Sequence, residues 1–249
     1  MSKPNKIRAD EALVRAGLAP SRSRAQALIL AGKVFSGDQP IKKSGQQIPE
    51  DTPLRLKEKD HPWVSRGGLK LAHGLDHFNL SLAGMSVIDI GASTGGFTDV
   101  ALQSGADRVY AVDVGKGQLD WGLRNDDRVV VLEGVNARYL SENEIPGKVD
   151  AIVCDASFIS LKTILPAPLA LLKPGGVVIA LIKPQFEVGK GKVGKGGVVR
   201  DPALHQAVVA DIKAWFEGLG GYEVLGVTTS PITGPKGNVE FLIAARFSG

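Results

Sequence analysis

Val87-Ile88-Asp89-Ile90-Gly91-Ala92-Ser93-Thr94-Gly95-Gly96-Phe97-Thr98 is the stretch whose reading decides the fold. Four residues rich in β-branched side chains, Val87 to Ile90, predict a buried strand. The glycines then let the chain turn tightly and bring backbone N–H groups close to a ligand, and a helix is expected at once, from Phe97 to Gln103. A strand that ends in such a turn and feeds directly into a helix places a nucleotide-like ligand at the strand's carboxyl end. The spacing is Gly-x-x-x-Gly-Gly, unlike the Gly-x-Gly-x-x-Gly of pyrophosphate-binding sites, which disfavours a nicotinamide dinucleotide.

Outward from this turn, short apolar runs alternate with helical stretches. The runs are Val87 to Ile90, Val109 to Val112, Val129 to Leu132, Ala151 to Cys154, Val177 to Ile182, Val224 to Thr229 and Val239 to Ala244. This alternation predicts an α/β domain with a mostly parallel sheet covered by helices on both faces. Asp113 ends the second run, 22 residues after Gly91, where a carboxylate can accept hydrogen bonds from both hydroxyls of a ribose.

The charge is uneven. Residues 1–60 hold 12 Lys/Arg against 7 Asp/Glu, and residues 61–249 hold 18 against 19, so the net charge of +4 originates in the first quarter. A basic module facing a polyanion accounts for this, as does a solvated basic face. The spacing of Ala9, Ala12, Leu13 and Ala16 predicts a helix over 8–17. Ser21 is placed to cap a second helix over 22–31, ended by Gly32. Extended pieces are expected at 33–35, 41–43 and 54–56. The run from Ile7 to Val34, above all Ser21-Arg22-Ser23-Arg24-Ala25 with Gly32-Lys33-Val34, resembles the αL RNA-binding domain first described in a small-subunit ribosomal protein. The resemblance covers about residues 7–56 and implies RNA contacts at Arg8, Arg22, Arg24 and Lys33. The expected organisation is an RNA-binding domain at 1–59, a linker at 60–66 in which Trp63 is a candidate packing residue between domains, and the larger domain at 67–249.

Asp89-Ile90-Gly91-Ala92-Ser93-Thr94-Gly95-Gly96-Phe97-Thr98 resembles motif I of the FtsJ-type ribose 2′-O-methyltransferases, and more closely that of the TlyA (hemolysin A-type) rRNA methyltransferases, which join an αL module to such a domain. The resemblance therefore spans nearly the whole chain. It implies a Rossmann-like methyltransferase fold of seven strands, the last antiparallel, behind a small α+β RNA-binding domain. It further implies S-adenosylmethionine held by Gly91, Ala92, Ser93, Gly95, Gly96, Phe97 and Thr98, with Asp113 on the ribose and Asn136 near the adenine. The family's Lys-Asp-Lys-Glu tetrad has counterparts at Lys70, Asp155, Lys183 and Glu240. Implied partners are ribosomal RNA or assembled ribosomal subunits, with cytidine as the target. Neither a metal nor an obligatory protein partner is implied.

These residue types suit the transfer. A neutral hydroxyl is a poor nucleophile and must lose its proton around the transition state, so a base is needed beside the 2′-oxygen. An ordinary lysine, with a pKa of about 10.4, is protonated at neutral pH. Burial and a second ammonium lower that value. Lys183 is the expected base and Lys70 the cation that depresses its pKa, while Asp155 and Glu240 orient the lysines and balance charge.

Other classes fit less well. Asp155-Ala156-Ser157-Phe158 lacks the paired prolines of exocyclic-amine methyltransferases. The single cysteine, Cys154, lies in an expected buried strand, a core position rather than that of a nucleophile. Gly189 to Lys195 fits a phosphate-binding loop, except that Gly196 stands where Ser or Thr is required. That glycine-rich basic segment, between Gln185 and Asp201, is expected to be a mobile lid over RNA. A pore-forming haemolysin and a non-catalytic ribosome assembly factor are the competing functions. Against the pore, the longest apolar runs, such as Val177–Ile182, fall far short of the roughly 20 residues a membrane-crossing helix needs. The N-terminus shows no secretion signal, so a cytoplasmic protein is expected.

Overall fold

A computed structural model of the chain describes residues 5–57, 61–189 and 191–249. It divides into two compact units, Met1–Pro62 and Trp63–Gly249, so residues 63–66 of the expected linker belong to the second unit.

In the first unit, β1 (Lys6–Arg8) leads into α1 (Ala9–Arg15), and α2 (Arg22–Leu30) follows. Ser21 caps α2 as expected, its hydroxyl accepting from the Arg24 N–H at 3.3 Å. Then come β2 (Val34–Ser36), β3 (Gln39–Pro40), β4 (Gln47–Pro49) and β5 (Arg55–Leu56). β1 pairs with β4, while β2 lies between β3 and β5. Ala9, Leu13, Ala25, Ile29, Val34 and Ile48 form the buried centre. Arg8 closes β1 instead of opening the helix, because its backbone pairs with Gln47. The extended piece expected at 41–43 is displaced to β3, an edge strand where Pro40 costs no interior hydrogen bond.

The second unit runs α3 (Gly68–His77), β6 (Ser86–Ile90), α4 (Gly96–Gln103), β7 (Arg108–Asp113), α5 (Trp121–Arg124), β8 (Val129–Glu133) and β9 (Val149–Cys154). It continues through α6 (Leu161–Ile164), α7 (Pro166–Leu169), β10 (Leu172–Ile182), α8 (Pro184–Glu187), α9 (Pro202–Gly218), β11 (Tyr222–Thr229) and β12 (Phe241–Phe247). Seven strands form one sheet in the order β11-β12-β10-β9-β6-β7-β8. β12 is antiparallel to both neighbours, and the pairs among β6, β7, β8, β9 and β10 are parallel.

Side chains along a strand alternate between faces, and the core obeys this. Val178, Ala180 and Ile182 join the cluster containing Leu161, Leu165 and Ile212 of α6, its flank and α9. Val177, Ile179 and Leu181 join the opposite one, with Leu71 of α3 and Val100 of α4. Both faces are covered, which is why Val177–Ile182 of β10 reads as a continuous apolar run. No helix among the described residues is long and apolar enough to cross a membrane.

Candidate active site

Strand register builds the site. Cys154 of β9 pairs with Ile90 of β6 and with Ala180 of β10, and Ile182 of β10 pairs with Phe241 of β12. Because β12 runs antiparallel, its start lies beside the end of β10. Asp155, Lys183 and Glu240, each one residue outside a strand, therefore gather at one edge of the sheet. α3 supplies Lys70, and Gly74 of that helix faces Ile179 and Leu242.

The four residues form a chain of alternating charge. Glu240 Oε2 is 2.7 Å from Lys70 Nζ, Lys70 Nζ is 3.5 Å from Asp155 Oδ2, and Asp155 Oδ1 is 2.6 Å from Lys183 Nζ. Lys70, Lys183 and Glu240 are buried, and two cations matched by two carboxylates leave no net formal charge to desolvate. The Asp155 carboxylate stands between the two lysines. Lys183 also donates to the Asp155 carbonyl at 3.1 Å and to Ser157 Oγ at 2.8 Å.

Two cavities of about 540 Å³ each meet here, within the range typical of small-molecule sites. One is lined by all four charged residues together with Ala92, Gly96 and Phe97. The other is lined by Asp113, Asn136 and apolar Val112, Val135 and Ile164. Gly91, Ser93, Asp155, Ser157 and Phe158 border both. Gly91 has φ +80°, and a Cβ there would lie 2.9 Å from the Ala156 Cα, so only glycine leaves this wall its shape.

Comparison with known proteins identifies the chain. Residues 63–247 match the FtsJ-like methyltransferase model. The chain belongs to the FtsJ-like methyltransferase family. Residues 7–52 of this methyltransferase match the S4 domain. It is 48% identical over 97% of its length, and 90% of the relative's, to a Mycobacterium tuberculosis protein named 16S/23S rRNA (cytidine-2′-O)-methyltransferase TlyA. It is 40% identical, over 95% of its length and 98% of the relative's, to a Brachyspira hyodysenteriae protein named Hemolysin A. A solved Streptococcus thermophilus structure, described as a candidate hemolysin, covers 99% of the chain and 90% of its own at 44% identity, with a TM-score of 0.75.

Not every residue expected at the FtsJ-like donor site faces a cavity. Thr98 is fully buried and donates to Asp89 Oδ2 at 2.6 Å. Gly95, with φ +95°, packs against Leu119 and Leu123. Both shape the loop from behind. Asp113 holds the loop by accepting from the N–H groups of Ser93 at 2.8 Å and Gly115 at 2.7 Å. A carboxylate offers about four acceptor positions, so two remain for a ribose. The Asn136 side chain accepts from the Arg138 N–H at 3.1 Å. Burial pushes the Cys154 thiol up to about 12, as befits core packing.

Sequence reading missed Ser157, Phe158 and Asp89. Phe158 is 89% exposed, carries φ +66° and lies 5.1 Å from the Phe186 ring. Asp89 is enclosed, and burial pushes its carboxyl up to about 7 against the opposing Thr98 hydrogen bond. The basic segment before α9 is anchored near its end: Asn238 accepts from the Val199 N–H at 3.0 Å and donates to the Gly197 carbonyl at 2.9 Å. Its Lys190 lies outside the described residues. In the first unit, Arg8 and Arg22 both reach buried Asp10, whereas Arg24 and Lys33 are exposed.

Proposed function

We propose that this chain is an S-adenosylmethionine-dependent ribosomal RNA methyltransferase that modifies the ribose 2′-oxygen of cytidine in the cytoplasm, on free rRNA or assembled subunits. The observation that carries the reading is the convergence of Lys70, Asp155, Lys183 and Glu240 in one cavity that meets a second along Asp155. Substrate and nucleotide are those in the names of the TlyA relatives.

The second cavity suits the donor's adenosine. Asp113 would accept from the ribose hydroxyls, Asn136 and the apolar lining would flank the base, and Gly91, Ala92, Ser93, Gly96 and Phe97 would hold the remainder. When bound, the donor supplies an electrophilic methyl carbon on a sulfonium. The first cavity takes the target nucleotide, and the exposed Phe158 ring offers its base a stacking face. Lys183 accepts the 2′-hydroxyl proton. Asp155 bridges the lysines, and the Glu240–Lys70 pair keeps the cluster neutral. Fixing both reactants against one wall supplies much of the acceleration. Arg8, Arg22, Arg24 and Lys33 of the first unit bind rRNA phosphates.

Unmodified ribosomal subunits are incubated with methyl-labelled S-adenosylmethionine, and the RNA is digested to nucleosides. Label in 2′-O-methylcytidine with the wild type, and none with Lys183→Ala, is expected. Label on a base, or equal labelling by Lys183→Ala, would overturn the assignment.

A further inference from the structure

As an ammonium, Lys183 has no lone pair with which to accept a proton. Its Nζ donates to the Asp155 carbonyl at 3.1 Å and to Ser157 Oγ at 2.8 Å, and it forms an ion pair with Asp155 Oδ1 at 2.6 Å. Once Lys183 is neutral, its lone pair needs a donor. A carboxylate and a carbonyl can only accept, whereas a hydroxyl can reverse its role and donate. Ser157 alone of the three can serve both protonation states.

Access points the same way. The Lys183 side chain is 7% exposed, whereas Ser157 is exposed and borders both cavities. Both residues line the first cavity, and Ser157 is the more exposed of the two. The turn that aims Ser157 is also held under strain, since Phe158 has φ +66°, a region bulky side chains adopt only when their surroundings impose it. Three ties impose it: Lys183 on the Asp155 carbonyl, Ser160 Oγ on Glu187 Oε2 at 2.6 Å, and the Phe158–Phe186 ring contact.

We propose that Ser157 is a catalytic residue that relays the ribose proton to Lys183. The inference rests on the ribose 2′-O-methyl transfer proposed above. The 2′-O–H bond breaks as the oxygen bonds to the methyl carbon and the donor departs as its thioether. The ribose proton passes to Ser157 Oγ while the serine's own hydrogen passes to the neutral Lys183 amine. The ammonium form described here is regenerated, and it later releases its proton to water. The charged and titratable groups around this relay are Asp155, Lys70, Glu240, Asp89 and Cys154.

The experiment measures kcat from pH 6 to 10 on unmodified subunits for the wild type, Ser157→Ala, Ser157→Thr and Lys183→Ala, with calorimetric S-adenosylmethionine affinity alongside. A relay predicts that Ser157→Ala lowers kcat about 100-fold at every pH, including the alkaline plateau. Threonine restores most of it, and donor affinity stays within threefold. Were Ser157 only an acceptor for the ammonium, its removal would ease deprotonation of Lys183. The acid limb would then move to lower pH with the plateau unchanged, and the relay would be overturned. A tenfold loss of donor affinity in Ser157→Ala, or an equal rate loss in the threonine variant, overturns it as well. If the wild type forms 2′-O-methylribose and Lys183→Ala does not, while Ser157→Ala keeps a wild-type plateau, the relay alone falls. If the wild type forms none, the methyl-transfer reading falls first.

Discussion

Lys70 and Glu240, 170 residues apart in the chain, form a 2.7 Å ion pair with side chains 7% and 1% exposed. Removing one member leaves the other charged in a medium that solvates it poorly, which typically costs about 3–5 kcal/mol. Lys70→Met and Glu240→Gln should each lower the urea midpoint of the methyltransferase unit. The double variant Lys70→Met/Glu240→Gln should lie closer to the wild type than the sum of single losses requires. Additive losses in a double-mutant cycle would show that the pair is not coupled.

Asp89 gives stability a slope from the acid range to neutrality. Its carboxyl is pushed up to about 7 by burial, against about 3.9 in an unfolded chain. Between those values the native state holds a proton that the unfolded state has lost, so stability falls as pH rises from about 4 to 7 and levels off above. Asp89→Asn removes this term. Its stability relative to the wild type should improve by on the order of 2 kcal/mol between pH 5 and pH 8. A pH-independent difference in urea titrations would refute the buried-proton account.

Gly91→Ala would push a methyl group to 2.9 Å from the Ala156 Cα in a backbone region that L residues seldom adopt. The wall common to both cavities must shift. Calorimetry should record at least a tenfold loss of S-adenosylmethionine affinity, with circular dichroism still reporting a folded protein. Unchanged affinity would remove the loop from the donor site.

The four residues expected to contact RNA divide into two kinds. Arg8 and Arg22 hold Asp10, whose carboxyl the Arg8 guanidinium keeps far below the usual range. A depressed value means stabilisation that is present above about pH 4 and lost as the pH falls through the acid range. Asp10→Asn should flatten that acid dependence in thermal melts, and Arg8→Ala should lower the melting temperature as well as RNA affinity. Arg24→Ala and Lys33→Ala should leave melting unchanged and weaken RNA binding, each reducing the slope of log K against log salt by about one. Salt slopes identical to wild type would exclude them as phosphate contacts.

The parallel sheet was legible because buried strands such as Val177–Ile182 are apolar on both faces and the glycine turn after Ile90 has a restricted set of uses. The paired strands of the first unit were not: Lys6–Arg8 and Gln47–Pro49 are three residues each, too short to show a period. The expected strand at 239–244 begins at Phe241, since the Glu240 carbonyl accepts from Ser230 N outside the ladder. Lys70 was expected to act directly on Lys183, yet the Asp155 carboxylate lies between them. Residue type announces charge, but not which partner intervenes.

The sequence alone determined the order of strands and helices and the glycine loop, because each is written in local periodicity or a short motif, while the four charged residues were implied by the family resemblance. Tertiary structure decided that Glu240 meets Lys70, that Thr98 turns inward to Asp89 and that Ser157 accepts from Lys183. Those contacts depend on strand register and on the antiparallel return of β12, which are set by packing between residues far apart in the chain.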